Sequence, residues 1–458
     1  MLVVPALGNA QSRHSTTTRQ QKITTSQRTT TPGKRTITPG KKTIATNKTT
    51  ATTQKATAQK AAQVAQDPDL TYVPRLQRLG ESLLEKRQGS IVAIRPKTGE
   101  VLCMVSHTLE GNNINRAISA TYPPGSTFKT AQLLTLWTEH TVDKDTKVKC
   151  HRGFMMGGTH VGCHAHPSPL ATTQALAQSC NSWFITNFIK MIADTTKYGS
   201  RSHALNVWHD YMASYGFGSK LGIDIRGEAN GLIPDSAYIN RKYPKFWNAR
   251  TIGYIGMGQG LITVTPLQLC NLAATIANRG WWITPYTRHS SAGANPENYI
   301  TPHVTLASPD AYDEVIAGMR ACVTEGTAKK INDPRITICG KTGTAQNAGQ
   351  DHSAFIAFAP MKNPQIAICV YIEHGGDGNA VAAPIAAQII KSYLLHGRKP
   401  ANAKRSTANT RHTPATSQTK SRKTTTIRKR KQLTQHINGK RAAKPNVGVG
   451  FQKDERTN

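Results

Sequence analysis

The sequence predicts an α/β (α+β) domain in which one sheet, built from both ends of the central region, is covered by helices. Two observations carry this. β-rich runs occur at the start and at the end of the central region, and helical apolar patterns fill the span between them. A third observation sets its limits. Outside about residues 67–397 the chain is too polar and too basic to bury a core.

The formal net charge is +33. Residues 1–66 hold eleven Lys or Arg and no Asp or Glu, and residues 398–458 hold seventeen against Asp454 and Glu455. About 26 of the surplus positive charges therefore lie in the two end segments and about 7 in the middle. Both ends are rich in Thr, Lys, Arg, Gln and Ala and nearly free of aromatics, a composition that predicts disorder. The first segment contains a tandem repeat, Thr31–Ile37 then Thr38–Ile44, with a Pro-Gly in each unit that argues against helix; two units are too few for a solenoid. Met1–Ala10 is a short apolar stretch that ends in small residues before Gln11, as the end of a signal peptide would. It lacks a basic n-region and a full h-region, so an ordinary N-terminus competes with that reading. No run of eighteen apolar residues is present, so no membrane span is expected. The middle, roughly 330 residues, is ample for one large core or two intimate lobes. Eight cysteines in this length do not make a disulfide scaffold; Cys103, Cys270, Cys322, Cys339 and Cys369 lie in apolar surroundings and are expected to be buried.

The elements follow in order. Gly89–Ile94 and Val101–Val105 are β-rich runs around the turn Lys97-Thr98-Gly99-Glu100, which predicts a hairpin. Pro123-Pro124-Gly125 breaks the chain, and a helix is expected from Thr127 to about Trp137. Ser126 then sits at a helix start, beside free backbone N–H groups and the positive end of the dipole. A second helical pattern runs from Thr172 to Ala193, with a break at Ser179-Cys180-Asn181. Another follows Thr265-Pro266 to Asn278, stopped by Gly280. Ile336–Cys339 leading into Lys341–Thr344, then Ser353–Ala359 and Gln365–Ile372, read as an antiparallel meander, and a helix from about Ala380 to Leu395 closes the domain.

Three short stretches carry chemistry. A serine hydroxyl is a weak nucleophile until something takes its proton. Residues three apart on a helix share a face, so Lys129 sits beside Ser126 and can act as its base when neutral. That requires a lowered pKa, through desolvation or a second nearby cation, for which Lys341 is the candidate. Ser179 and Asn181, two apart at a helix break, can both project into one cleft. Lys341 and Thr342 suit a terminal carboxylate, and Gly343 lets a substrate backbone approach closely.

Taken in series, Ser126-Thr127-Phe128-Lys129, Ser179-Cys180-Asn181 and Lys341-Thr342-Gly343-Thr344 resemble the signature of penicillin-recognising serine transpeptidases. Cys180 departs from the usual middle residues of the second motif. The flank Tyr122-Pro123-Pro124-Gly125, and Gly256–Gly260 followed by Val264–Gln268, look like elongation-type class B penicillin-binding proteins. The resemblance covers roughly Leu70 to Leu395, about seven-tenths of the chain. It implies a mainly antiparallel five-stranded sheet with a helical lobe and the active site at their junction. It implies that Ser179 relays protons to the leaving group and that Asn181 holds a substrate amide. It also assigns the oxyanion hole to the backbone N–H groups of Ser126 and Thr344. Relatives of this class carry a membrane anchor and a pedestal domain; here the catalytic unit is expected to follow the basic segment directly.

Between the first two motifs lie Cys150-His151, His160, Cys163-His164 and His166, a dense set of metal-ligand residue types without standard finger spacing. Three readings stay open: a structural zinc on Cys150, Cys163 and a histidine such as His166 or on Cys180, a Cys150–Cys163 disulfide, or unconnected loop residues. The resemblance favours the first, and it requires no cofactor for the chemistry.

The function implied is a D,D-transpeptidase that cross-links peptidoglycan stem peptides, is trapped by β-lactams and works in the periplasm or cell envelope. A serine β-lactamase or D,D-carboxypeptidase, and a non-enzymatic β-lactam sensor, are the alternatives. Glu228-Ala229-Asn230 has the wrong spacing for a class A deacylation glutamate, and class D enzymes usually have Ser-x-Val where this chain has Ser179-Cys180-Asn181; both points favour the transpeptidase. The basic ends suit anionic envelope polymers or a membrane surface, or are merely solvated. No recognition fold or set of stacking aromatics supports a specific nucleic-acid partner.

Overall fold

β1 (Gly89–Ile94) and β2 (Val101–His107) form the expected hairpin. The computed structural model describes residues 67–109, 111–290 and 295–396. The end segments whose composition predicts disorder lie outside the described residues. β3 (Gly153–Met156) and β4 (Thr159–Gly162) make a small separate hairpin, and β5 (Trp281–Ile283) pairs with β6 (Pro302–Val304). β7 (Cys339–Ala345), β8 (His352–Ala359) and β9 (Ile366–Ile372) form the meander.

The five strands of the main sheet are ordered β2-β1-β9-β8-β7 and every neighbouring pair is antiparallel. The first strand meets the last through Gly89 opposite Ile372 to Ile94 opposite Ala367, so the sheet is built from both ends of the domain, as expected.

The strands β8 and β9 are buried on both faces, which is why their sequences are apolar without alternation. The period of two still sorts their side chains. Ala354, Ile356 and Phe358 join one core with the helix Pro266–Ala277; Phe355, Ala357 and Ala359 join another with the helices Pro74–Leu84 and Ala382–Leu395. Each fully buried Ile or Phe here contributes about 1.5–3 kcal/mol.

Thr265 caps the helix Pro266–Ala277 with a reciprocal box: its hydroxyl accepts from Gln268 N at 3.1 Å, and its own N–H donates to Gln268 Oε1 at 2.9 Å. The expected helix at Thr172–Ala193 is broken as the sequence indicated, into Thr172–Ala177 and Asn181–Ala193. Four helices of seven residues or more were not anticipated: Pro74–Leu84, Arg201–Ser214, Ser236–Lys242 and Pro309–Thr324. Their start signals are visible in retrospect, as Pro at the first turn for two of them and as Ser200 and Asp235 side-chain caps for the others.

Candidate active site

Ser126 is the second residue of a 3₁₀ turn, Gly125–Phe128, and the α-helix begins only at Lys129. The tighter turn corrects the expected helix start at Thr127, and it keeps residues i and i+3 on one side. The turn is held from several directions. Tyr122 and Val264 exchange backbone hydrogen bonds at 2.9 Å, Tyr371 Oη donates to Pro123 O at 3.0 Å, and Gly125 N donates to Gly258 O at 2.9 Å. Gly258 has φ +86°, and a Cβ there would lie 1.9 Å from Gly125 O, so only glycine fits. The glycine-rich stretch Gly256–Gly260 is thereby tied to the nucleophile turn.

The Lys129 side chain is fully buried. Its ammonium donates to Asn181 Oδ1 at 2.6 Å, to Ser179 O at 2.8 Å and to Ser179 Oγ at 3.3 Å. The first two motifs therefore meet at this nitrogen, although its hydrogen bonds go to Ser179 and Asn181 and not to Ser126. Desolvation above all, together with the charge of Lys341, lowers its pKa to about 7, as the sequence suggested. Ser179 occupies the left-handed region at φ +55°, which turns the chain between the two helices. Asn181 Nδ2 donates to Gly162 O at 2.7 Å, fixing the amide so that its oxygen faces Lys129.

β7 is the edge strand that carries the third motif. Lys341 is fully buried, and burial brings it down to about 8. Its Nζ donates to Thr342 O at 3.0 Å. Thr342 Oγ1 lies 2.6 Å from Thr327 Oγ1, while Thr344 is exposed to the cleft. Gly343 is glycine for a nearer reason than the one expected. A Cβ there would stand 2.8 Å from Thr127 Cγ2 and 3.2 Å from Ala354 Cβ, so its absence lets the nucleophile turn sit against β7.

Ser126, Ser179, Asn181, Thr342 and Thr344 line one cleft of about 530 Å³. Residues that the sequence did not single out line it too, among them Thr327, Lys329, Lys330, Asp351, Asp377 and Asn379. They come from a 3₁₀ turn and from loops at the ends of strands, where neither periodicity nor a motif marks them.

Behind the second motif, Cys150, Cys163, His166 and Cys180 bring one ligand atom each to within 4.8 Å of one another. His151, His160 and His164 stay outside this set, and His164 lines the cleft instead. All eight cysteines are free thiols, so the disulfide alternative is not realised. Hydrogen bonding from Cys180 holds the Cys163 thiol well below its usual range, and the same contact together with burial raises Cys180. Three sulfurs and an imidazole, clustered this closely with one favoured thiolate, fit a tetrahedral zinc.

The model of the penicillin binding protein transpeptidase domain matches residues 89–391. The chain belongs to this family. The transpeptidase domain is 29% identical over 384 residues to the peptidoglycan D,D-transpeptidase MrdA of Acinetobacter baumannii, a match covering 71% of this chain and 54% of that protein. It is 28% identical over 378 residues to PbpA of Mycobacterium tuberculosis, with 71% and 72% covered. The chain thus spans about half the length of the MrdA relative. Among solved structures, PBP2 of Pseudomonas aeruginosa in complex with WCK 5153 matches with a TM-score of 0.65 at 30% identity, covering 74% of this chain and 81% of that one. These relatives bear out the resemblance to elongation-type class B penicillin-binding proteins. No helix among the described residues of the domain is long and apolar enough to cross a membrane.

Proposed function

We propose that this chain is a peptidoglycan D,D-transpeptidase working through a serine acyl-enzyme. Ser126 Oγ attacks the carbonyl of the penultimate D-alanine of a stem peptide while neutral Lys129 takes its proton. The oxyanion is held by the backbone N–H groups of Ser126 and Thr344, each worth a few kcal/mol of transition-state stabilisation. The C–N bond breaks, Ser179 relays a proton to the leaving amine, and terminal D-alanine departs. An amine of a neighbouring stem peptide then attacks the ester, forms the amide cross-link and returns the proton to Ser126. Asn181 holds a substrate amide. Lys341, Thr342 and Thr344 hold the terminal carboxylate, with Gly343 between them free of a side chain. β-Lactams acylate the same serine.

One observation carries this reading. Lys129, Ser179 and Asn181 share hydrogen bonds beside the cleft that also exposes Ser126 and Thr344.

The reading extends to the rest of the chain. Residues 67–397 form the catalytic domain, and the flanking basic segments engage anionic envelope polymers or a membrane surface; no specific nucleic acid is involved. The protein acts in the periplasm or cell envelope. Cys150, Cys163, His166 and Cys180 hold a structural zinc, which fixes the start of the helix Asn181–Ala193 and takes no part in proton transfer.

The test is intact mass of the purified protein with a penicillin over hours, beside Ser126→Ala. A stable one-drug adduct, absent in the variant, is expected. Rapid loss of the adduct with drug turnover indicates the β-lactamase alternative. A stable adduct without release of D-alanine from a stem peptide indicates a sensor. No adduct overturns the acyl-enzyme.

A further inference from the structure

A second cavity, of about 360 Å³, shares no lining residue with the catalytic cleft. The sequence explains its walls. The helix Ser236–Lys242 stops at Tyr243, because Pro244 disfavours a helical residue before it, and Tyr243 leaves the helical region at ψ 69°. Lys245, Phe246 and Trp247 therefore fall in a loop. Trp247 anchors that loop: it is buried in the core, and its Nε1 donates to Asn240 Oδ1 at 2.7 Å. Ser200, Arg201 and Ser202, at the start of the helix Arg201–Ser214, complete the lining.

Phe246 sets this cavity apart. It stays 65% exposed and is the only exposed Phe or Trp among the described residues. Side chains of this kind are usually covered. The Arg201 guanidinium stands 5.5 Å from the Phe246 ring centroid and 5.9 Å from that of Trp247, so three flat groups gather into one platform.

The polar groups around the platform are donors. Arg201 and Lys245 enter no ion pair among the described residues, and no carboxylate lines the cavity. Asn240 uses its oxygen on Trp247, which leaves the two N–H donors of its amide for a ligand. A matching ligand offers a flat apolar face, several oxygen acceptors and a negative charge. A sugar ring bearing a carboxylate has all three: its C–H face covers an aromatic ring, and its oxygens accept. A bare anion leaves Phe246 uncovered, and an apolar ligand leaves the cations and the amide unmet.

We propose that this cavity is a binding site for a carboxylate-bearing sugar unit, separate from the catalytic cleft. It goes beyond the transpeptidase reading and does not depend on the acyl-enzyme.

The experiment titrates the full chain with two disaccharides by calorimetry. One is N-acetylglucosaminyl-N-acetylmuramic acid with its carboxylate free; the other is diacetylchitobiose, which has no carboxylate. The acidic sugar is expected to bind about tenfold or more tightly than the neutral one, the discrimination that hydrogen bonds from charged groups supply. Phe246→Ala keeps every charge, including those of the basic end segments, and should weaken the acidic sugar about tenfold. Lys245→Gln should weaken the acidic sugar and erase most of the preference. Penicillin fills the cleft and should leave the titration unchanged. Both side chains are exposed, and penicillin adducts formed at the wild-type rate by the two variants show that the fold and the catalytic centre are intact. Binding that Phe246→Ala leaves unaltered belongs to the basic segments and overturns the site. Loss of binding in the presence of penicillin places the sugar in the cleft and overturns it as well, as does the absence of binding by either sugar. Acidic phospholipid vesicles are the last arm: vesicle binding lost in Phe246→Ala, with no sugar bound, assigns the platform to a membrane surface instead.

Discussion

Lys129 Nζ lies 2.6 Å from Asn181 Oδ1, a contact between residues 52 positions apart that joins the nucleophile turn to the start of a separate helix. The same nitrogen reaches Ser179 Oγ at 3.3 Å, so a proton arriving on Lys129 has a hydroxyl beside it for onward transfer. Replacing Lys129 by Ala removes the base while leaving Ser126 in place. General-base catalysis typically contributes about 10²–10⁴-fold. The acylation rate with a reporter penicillin should fall by that order in Lys129→Ala; a fall of less than about tenfold would mean that another group takes the proton.

The two buried lysines give the reaction its expected pH profile. On the proposed reading Lys129, near 7, is a base only when neutral, so acylation should rise as pH passes upward through that value. On the proposed reading Lys341, near 8, attracts a carboxylate only while charged, so carboxylate binding should weaken as pH passes above that value. Acylation by a carboxylate-bearing penicillin should therefore give a narrow bell with its maximum between the two. Stopped-flow rates from pH 5.5 to 9.5 check this, and a flat profile would rule out Lys129 as the base.

How much of this was legible depends on what each residue's signal was. The β1–β2 hairpin, the meander and Ser126, Ser179 and Lys341 were readable because strand patterns are local and the motifs combine rare order with suitable flanks. Why Gly343 must be glycine was not readable, since the side chain it would clash with belongs to Thr127, more than two hundred residues away in sequence. Likewise Asp351, Asp377 and Asn379 reach the cleft only because the β8 and β9 ends are brought together by pairing. The Cys150 segment left three readings open, with His166 and Cys180 as alternatives within the zinc reading, because nothing local says that Cys180, in another element, joins His166 in one set.

Gly258→Ala tests the packing behind the nucleophile. The new Cβ would collide with Gly125 O, and φ +86° is unfavourable for alanine. A cost of about 2–4 kcal/mol follows from backbone strain and displacement together. Tm should drop by about 4–8 °C, with a slower acylation rate. Gly349→Ala is the control: φ is also positive, at +101°, but its Cβ would meet nothing within 4 Å, and the loss should be smaller. Equal Tm losses for the two would show that the contact with Gly125 is unimportant.

The thiol cluster predicts metal content. Protein purified under reducing conditions should hold about one zinc per chain by elemental analysis, and Cys150→Ser/Cys163→Ser should hold none. Chelation should lower Tm, because a structural zinc contributes directly to folding. Retention of zinc by the double variant would place it elsewhere.

Glu373 provides the last prediction. Its carboxylate accepts from Tyr122 Oη at 2.6 Å, Arg116 Nε at 2.7 Å and Gln88 Nε2 at 2.7 Å. Tyr122 leads directly into Pro123-Pro124-Gly125-Ser126 and stacks on Tyr371 with ring centroids 4.4 Å apart. Burial alone would raise the Glu373 pKa, but hydrogen bonds from Tyr122, Gln88 and Arg116 outweigh it and hold the group below its ordinary value. A depressed carboxylate adds stability above its unfolded pKa, about 4.3, and that stability is lost as pH falls through the folded value. Glu373→Ala leaves Arg116, whose side chain is only 7% exposed, without its counter-ion. Breaking such a buried pair costs about 3–5 kcal/mol. Chemical denaturation should show a loss of that order at pH 7 and a smaller one near pH 3, where the wild-type carboxylate also begins to protonate. Penicillin acylation of Glu373→Ala should slow as well, because the tyrosine that anchors the turn has lost its partner. An unchanged difference in stability between the two pH values would show that Glu373 acts through packing and not through its charge.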